Sequence, residues 1–137
     1  MLESLQIRNY VLIDSLDIRF PEGLIIISGQ TGAGKSILLG ALSLLLGSKA
    51  DASVIGGEAD SCVVEAVFRI PESDLVLKEI LDDNDVEAGD GELIIRRVVN
   101  RSGRSRSFIN DSPVNIQILQ SISSRLVDIH SQHQTLL

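Results

Sequence analysis

The residues with the clearest chemistry form one run, Gly29-Gln30-Thr31-Gly32-Ala33-Gly34-Lys35-Ser36, which fits the spacing G-x-x-x-x-G-K-[ST]. Glycines at that spacing let the backbone curl until successive N–H groups point inward and form an anion nest. A helix that starts there aims the positive end of its dipole at the same point. Lys35 would then reach the β- and γ-phosphates of a nucleotide, and the Ser36 hydroxyl would complete a Mg2+ shell. With Ile37 behind it, the run from Gly29 to Ile37 is the candidate cofactor-binding stretch. Chance gives such a match in a chain this long roughly once in a few hundred.

Other residue types offer less. N-K-x-D, the tetrapeptide that would read guanine, does not occur. The nearest sequence to an apolar strand ending in a carboxylate is Leu126-Val127-Asp128, which is short and lacks a second acid. His130 and His133 have no cysteine or carboxylate beside them, so they are a weak metal pair. Cys62, the single cysteine, lies in the apolar run SCVVEAVF and reads as a core thiol.

The elements that must position the run follow from periodicity. Leu5-Gln6-Ile7 and Leu16-Asp17-Ile18-Arg19-Phe20 alternate as half-buried strands do, with Arg8-Asn9-Tyr10 as the bend between them. Pro21-Glu22-Gly23 signals a turn, and Leu24-Ile25-Ile26-Ile27 a strand buried on both faces. The glycine run thus follows a strand and opens a helix, KSILLGALSLLLG, apolar on nearly every side and closed by Gly47. The spacing then predicts a strand at Cys62–Ile70, a helix at Asp74–Asn84 with Ser73 as N-cap, and a hairpin of Leu93–Val99 with Arg106–Ile109. A helix at Val114–Ser121 and a final strand at Leu126–Ile129 complete an α/β fold with α+β character.

Composition limits the rest. A length of 137 residues fits one domain, and 44% hydrophobic with 23% charged residues excludes a disordered tail, a collagen-like repeat or a coiled-coil rod. No apolar run reaches the roughly 18–20 residues of a membrane span. The lone cysteine and the absence of a basic, apolar leader predict a cytoplasmic location. A net charge of −7 argues against a wholesale nucleic-acid coat. Charge is uneven, however. Nine acids lie between Glu72 and Glu92, and Arg96, Arg97, Arg101, Arg104 and Arg106 follow closely. Those arginines could reach DNA phosphates by charge alone, or simply cover a solvated hairpin. No aromatic is interleaved among them to stack bases, and Phe108 is expected to point into the core.

The opening IRNYVLID, the loop GQTGAGKS, the segment LLLGSKAD after the helix, the hairpin RSFINDSPV and the closing LVDIHSQHQTLL carry a resemblance. Together they resemble the N-terminal head segment of the SMC-like ATPases of the ABC class, and most closely a bacterial DNA-repair member of it. Lys49 departs from the pattern, where arginine is the commoner residue, and keeps the charge. The resemblance implies a P-loop NTPase lobe with antiparallel strands packed beside the P-loop strand and helix. It implies ATP and Mg2+ as cofactors and a role in repair and recombination at DNA double-strand breaks. It places Gln132 in a Q-loop that touches Mg2+ or the attacking water, with catalytic Lys35, and it places Arg8 and Asn9 near the base, ribose or α-phosphate. It also implies bacterial, nucleoid-associated surroundings.

In that family the head is split, and ATP is sandwiched between two protomers. The implied partners are the chain's own C-terminal head lobe, a second protomer and DNA, with no membrane. Residues 1–137 hold no S-G-G signature and no sustained heptads, so they are expected to be a fragment that binds nucleotide and turns over little or none alone. A self-contained small-molecule phosphotransferase using Asp128 is the alternative, and a non-catalytic nucleotide-gated lobe is a third reading.

Overall fold

The computed structural model describes residues 2–20, 32–87 and 91–135. Its framework is a six-stranded antiparallel sheet. The strands are β1 (Leu2–Tyr10), β2 (Ile13–Arg19), β3 (Ser61–Arg69), β4 (Glu92–Asn100), β5 (Ser105–Ile109) and β6 (Ser112–Val114), in the order β2-β1-β3-β4-β5-β6. Three helices join it: α1 (Gly32–Leu45), α2 (Leu75–Asp83) and α3 (Ile116–Thr135). Strict alternation puts Cys62, Val64 and Ala66 of β3 and Leu93, Ile95 and Val99 of β4 on the buried face. Ala41, Leu44 and Leu45 of α1, Leu77 and Leu81 of α2, and Leu119, Ile122 and Leu126 of α3 complete that core.

β1 breaks the alternation twice. A register shift against β3 between Leu2 and Ser4 is a bulge, so Leu2 and Leu5 both face the core. Asn9 then takes a left-handed φ of 58°, and the strand leaves β3 there. The Asn9 carbonyl accepts from Gly56 N–H at 2.8 Å, and Tyr10 bridges to Ile55. The reversal into β2 is therefore at Val11-Leu12, between the paired residues Tyr10 and Ile13. The bend expected at Arg8-Asn9-Tyr10 is instead strand.

Other expectations shift in the same way. The C-terminal strand does not form: α3 runs unbroken through residues 126–129 to Thr135, after Asn115 Oδ1 caps its start by accepting from Ile118 N–H at 2.8 Å. Asp74, not Ser73, caps α2, accepting from Leu77 N–H at 3.0 Å. Phe108 lies on the sheet face away from the core, with the Arg96 guanidinium 4.6 Å above its ring centre. β6 was not expected at all. The apolar run Leu24–Ile27 lies outside the described residues. α1 is not covered all round, since Leu39 stays exposed, as does Leu46 just past its end.

Candidate functional site

The glycine run meets the fold at the start of α1. Gly32, Ala33, Gly34 and Lys35 form its first turn, whereas Gly29, Gln30 and Thr31 lie outside the described residues. First-turn N–H groups have no acceptor within a helix. No acidic residue occupies that turn, so no carboxylate of the turn itself competes for the positive end of the dipole. Ser36 is exposed, and Ile37 packs against the core. A helix start without an acid in its first turn and an exposed serine one residue after a lysine suit a phosphate with its divalent cation. Among the described residues no cluster of His, Cys, Asp and Glu offers a metal site.

The helix that presents this turn is fixed along its length. A Cβ on Gly40 would lie 2.3 Å from the Tyr10 hydroxyl, so only glycine lets the end of β1 pack this closely on α1. Tyr10 is buried, and burial together with Cys62 raises its pKa. α1 ends in a Schellman motif: Ser48 N–H donates to Ser43 O at 3.1 Å and Gly47 N–H to Leu44 O at 3.2 Å, with Gly47 at φ +93°. The expected closure at Gly47 is thus observed.

The remaining candidates are more scattered. Arg8 lies on β1, where its guanidinium pairs with Asp17 at 2.8 Å and donates to the carbonyls of Ile7 and Leu16. Asn9 Nδ2 donates to Ser61 O at 3.3 Å. No hydrogen bond or ion pair among the described residues joins either side chain to α1; Tyr10 makes that contact. Gln132, His130 and His133 lie on α3 by their backbone, and so does Asp128. A carboxylate at the end of an apolar strand, which the phosphotransferase reading needs, is therefore not what residues 126–129 form.

The arginine block also divides. Arg96 stacks on Phe108 and faces Glu65 at 3.9 Å and Asp111 at 3.7 Å. Arg101 donates to the carbonyls of Ala59 and Gly57 and so fastens the loop before β3. Arg97 is buried in the core, donating to Leu44 O at 2.9 Å, to Ser48 O and to Ser105 Oγ. Arg101, Arg104 and Arg106 are exposed on the hairpin. Cys62 is fully buried, and burial pushes its thiol up to about 11, which keeps it protonated and inert.

Residues that periodicity did not single out hold the site's framework: Tyr10 against Gly40, Arg97, and Gln120 and Ser123 on α3. Their available signal was a polar residue on an otherwise apolar stripe, as at Arg97 between Ile95 and Val99.

The family described as AAA domain matches residues 4–137. DNA repair protein RecN of Vibrio cholerae is 39% identical over 133 residues, 97% of this chain and 24% of that protein. RecN of Synechocystis is 42% identical over 139 residues, 98% of this chain and 23% of its own length. The chain thus spans about a quarter of the relatives it matches. Among solved structures, the SMC head domain from Thermotoga maritima aligns with 88% of this chain and 41% of its own, at 23% identity and a TM-score of 0.58. A structure described under ATP-driven dimerization and DNA-stimulated activation of SMC ATPases covers 90% of this chain and 77% of its own, at 21% identity and a TM-score of 0.67. The recombination mediator RecF with ATP covers 83% and 27%, at 21% identity and a TM-score of 0.58. The fold is that of the SMC-type ATPase head lobe. No helix among the described residues is long and apolar enough to cross a membrane.

Proposed function

The chain belongs to the AAA-domain family, and from that premise we propose that it is the ATP-binding lobe of a RecN-like ATPase acting in DNA double-strand-break repair. The observation that carries the reading is the GQTGAGKS run, whose second half opens α1 with no acid in the first turn. Backbone donors from Gly29 to Lys35 would hold the phosphates, with the Lys35 ammonium adding charge at the β- and γ-positions. Ser36 would ligate Mg2+, and Gln132, whose amide both accepts and donates, would complete the site from α3. The metal ion, when bound, neutralises charge on the phosphates. Arg8 and Asn9 are placed near the base in this reading, and Arg8 would have to share its guanidinium with Asp17.

In this account residues 1–137 are one lobe of a split head, and a second lobe with a second protomer would supply the groups missing here. The SMC ATPase structural neighbour is one of ATP-driven dimerization and DNA-stimulated activation, and the RecF neighbour is bound to ATP, which supports carrying those features across. A γ-phosphate held between two protomers would act as a removable contact, coupling hydrolysis to the grip on DNA.

The test measures Mg-ATP binding and steady-state turnover by this chain beside Lys35→Ala. Binding without turnover, lost in the variant, is the expected result. Turnover by this chain alone, abolished by Lys35→Ala, would overturn the half-site account.

A further inference from the structure

The proposed function uses the N-terminal end of α1, and the structure shows how its C-terminal end is held. Beyond Ser43, the carbonyls of Leu44, Leu45, Gly47 and Ser48 accept from side chains of two other elements. Arg97 of β4 takes Leu44 O at 2.9 Å and also Ser48 O. Ser123 Oγ of α3 donates to Leu45 O at 2.8 Å, and Gln120 Nε2 of α3 donates to Gly47 O at 3.0 Å. Arg97 is 3% exposed and Ser123 1% exposed. Among the described residues no carboxylate pairs with Arg97, so its counter-charge is the negative end of the α1 dipole. Its Nε has no partner, and burial lowers its pKa. An apolar side chain of similar length would fill this volume without desolvating a cation. What it would not do is hold carbonyls from both sides of the helix end.

We propose that Arg97, Gln120 and Ser123 form a clasp that positions the phosphate-binding turn and makes α1 and α3 move as one body. They are positioning residues, and the inference rests on reading the GQTGAGKS run as a nucleotide site. α1 runs into the clasp and α3 runs out of it. Lys35 lies ten residues before Leu45, about 15 Å along α1, and Gln132 nine residues after Ser123, about 14 Å along α3. A shift of the first turn of α1 on phosphate binding is therefore delivered to the helix that carries Gln132. No contact between the two far ends is needed.

Hydrogen–deuterium exchange on the 137-residue chain tests this, without nucleotide, with Mg-ADP and with a non-hydrolysable Mg-ATP analogue. The variants are the double Gln120→Leu/Ser123→Ala, Arg97→Met, and Arg97→Lys as the conservative rescue. Without nucleotide, α1 and α3 of the parent open with one common factor. In the double variant both exchange about tenfold faster and by separate factors, as expected for two lost buried bonds. With nucleotide, the parent and Arg97→Lys gain protection in both helices. The double variant gains it in α1 and, on α3, only next to Gln132, and Arg97→Met gains less in α1. A parent in which nucleotide protects α1 and leaves α3 unchanged would overturn the clasp, as would a double variant that still passes protection to residues 116–126 of α3. Nucleotide that protects nothing in the parent counts against the nucleotide reading itself. The nucleotide-free arm then decides the clasp alone: separate factors in the double variant uphold it, and exchange identical to the parent overturns it.

Discussion

Asp74→Ala is the substitution whose cost follows most directly from the geometry. The carboxylate caps α2 through Leu77 N–H at 3.0 Å and receives the Arg125 guanidinium of α3 on both oxygens, at 3.1 to 3.3 Å. Asp74 is 8% exposed, and the Arg125 side chain 31%. Losing the cap costs about 1 kcal/mol. Losing the charge-assisted bonds costs about 1.5 kcal/mol, the low end of their range, because Arg125 can turn back toward water. Asp74→Ala should therefore lose about 2.5 kcal/mol, whereas Asp74→Asn, which keeps an acceptor for Leu77, should lose about 1.5 kcal/mol. For a domain of this size those losses lower Tm by about 9 °C and 5 °C.

The pH dependence separates the two contributions. Burial pushes the Asp74 carboxyl up, but the bonds from Leu77 N–H and Arg125 outweigh it and hold it below its ordinary value of 3.8. Because the folded value is the lower one, the ionic stabilisation is fully present above roughly pH 4 and is lost as pH falls through the folded value. Urea unfolding followed by helical circular dichroism from roughly pH 7 to pH 3 measures it. The gap between parent and Asp74→Asn should stay constant down to about pH 5 and narrow below about pH 4. A gap that persists undiminished into acid would refute the ion pair. An Asp74→Ala variant no less stable than Asp74→Asn at neutral pH would refute the cap.

Gly40→Ala drives a methyl to 2.3 Å from the Tyr10 hydroxyl and should cost about 1–3 kcal/mol; adding Tyr10→Phe should recover part of that loss in urea unfolding. Gly47→Ala places a Cβ 2.4 Å from Gln120 Cγ at φ +93°, so thermal melts should show a loss of about 1–2 kcal/mol or more. Cys62, buried with its thiol near 11, should resist Ellman's reagent at about pH 8 in the native chain and react fully in concentrated urea. Rapid native labelling would place the thiol outside the core.

Strands that keep a period of two were legible: β3 and β4 fell within a residue or so of their observed ends because nothing interrupts their alternation. β1 was not, because its core residues Leu2, Leu5, Ile7 and Tyr10 step by three, two and three. A bulge and a left-handed Asn9 absorb the extra residues, and neither has a sequence signature here. Val11 also takes a positive φ of 50°, where a glycine would have announced the turn. Leu126-Val127-Asp128-Ile129 read as a strand because four residues cannot distinguish the two periods. The longer stripe Leu119, Ile122, Leu126 has helical spacing and decides for α3. For the site, the phosphate run was legible because its chemistry is local. The framework was not, because Arg97, Gln120 and Ser123 act on carbonyls about fifty to eighty positions away.

These departures share a location. The glycine that admits Tyr10, the buried Arg97 and the buried Ser123 each break a local rule: good helix formers inside helices, apolar groups on the core face. Each of them touches α1. Buried polar residues occur elsewhere too, as Ser107 on β5 and Asp74 at the start of α2, so the three at α1 are a concentration and not the whole set. A sequence tolerates such conflicts where position matters more than stability. The element held in place here is the one that opens with Gly32-Ala33-Gly34-Lys35. α3, with Arg125 on α2 and Gln120 and Ser123 on α1, is tied at three successive points within six residues, before the stretch that carries Gln132. A helix anchored near one end can report a displacement of its anchor at its far end. Loss of a single anchor should therefore cost the chain less in stability than in the linkage between its two helices.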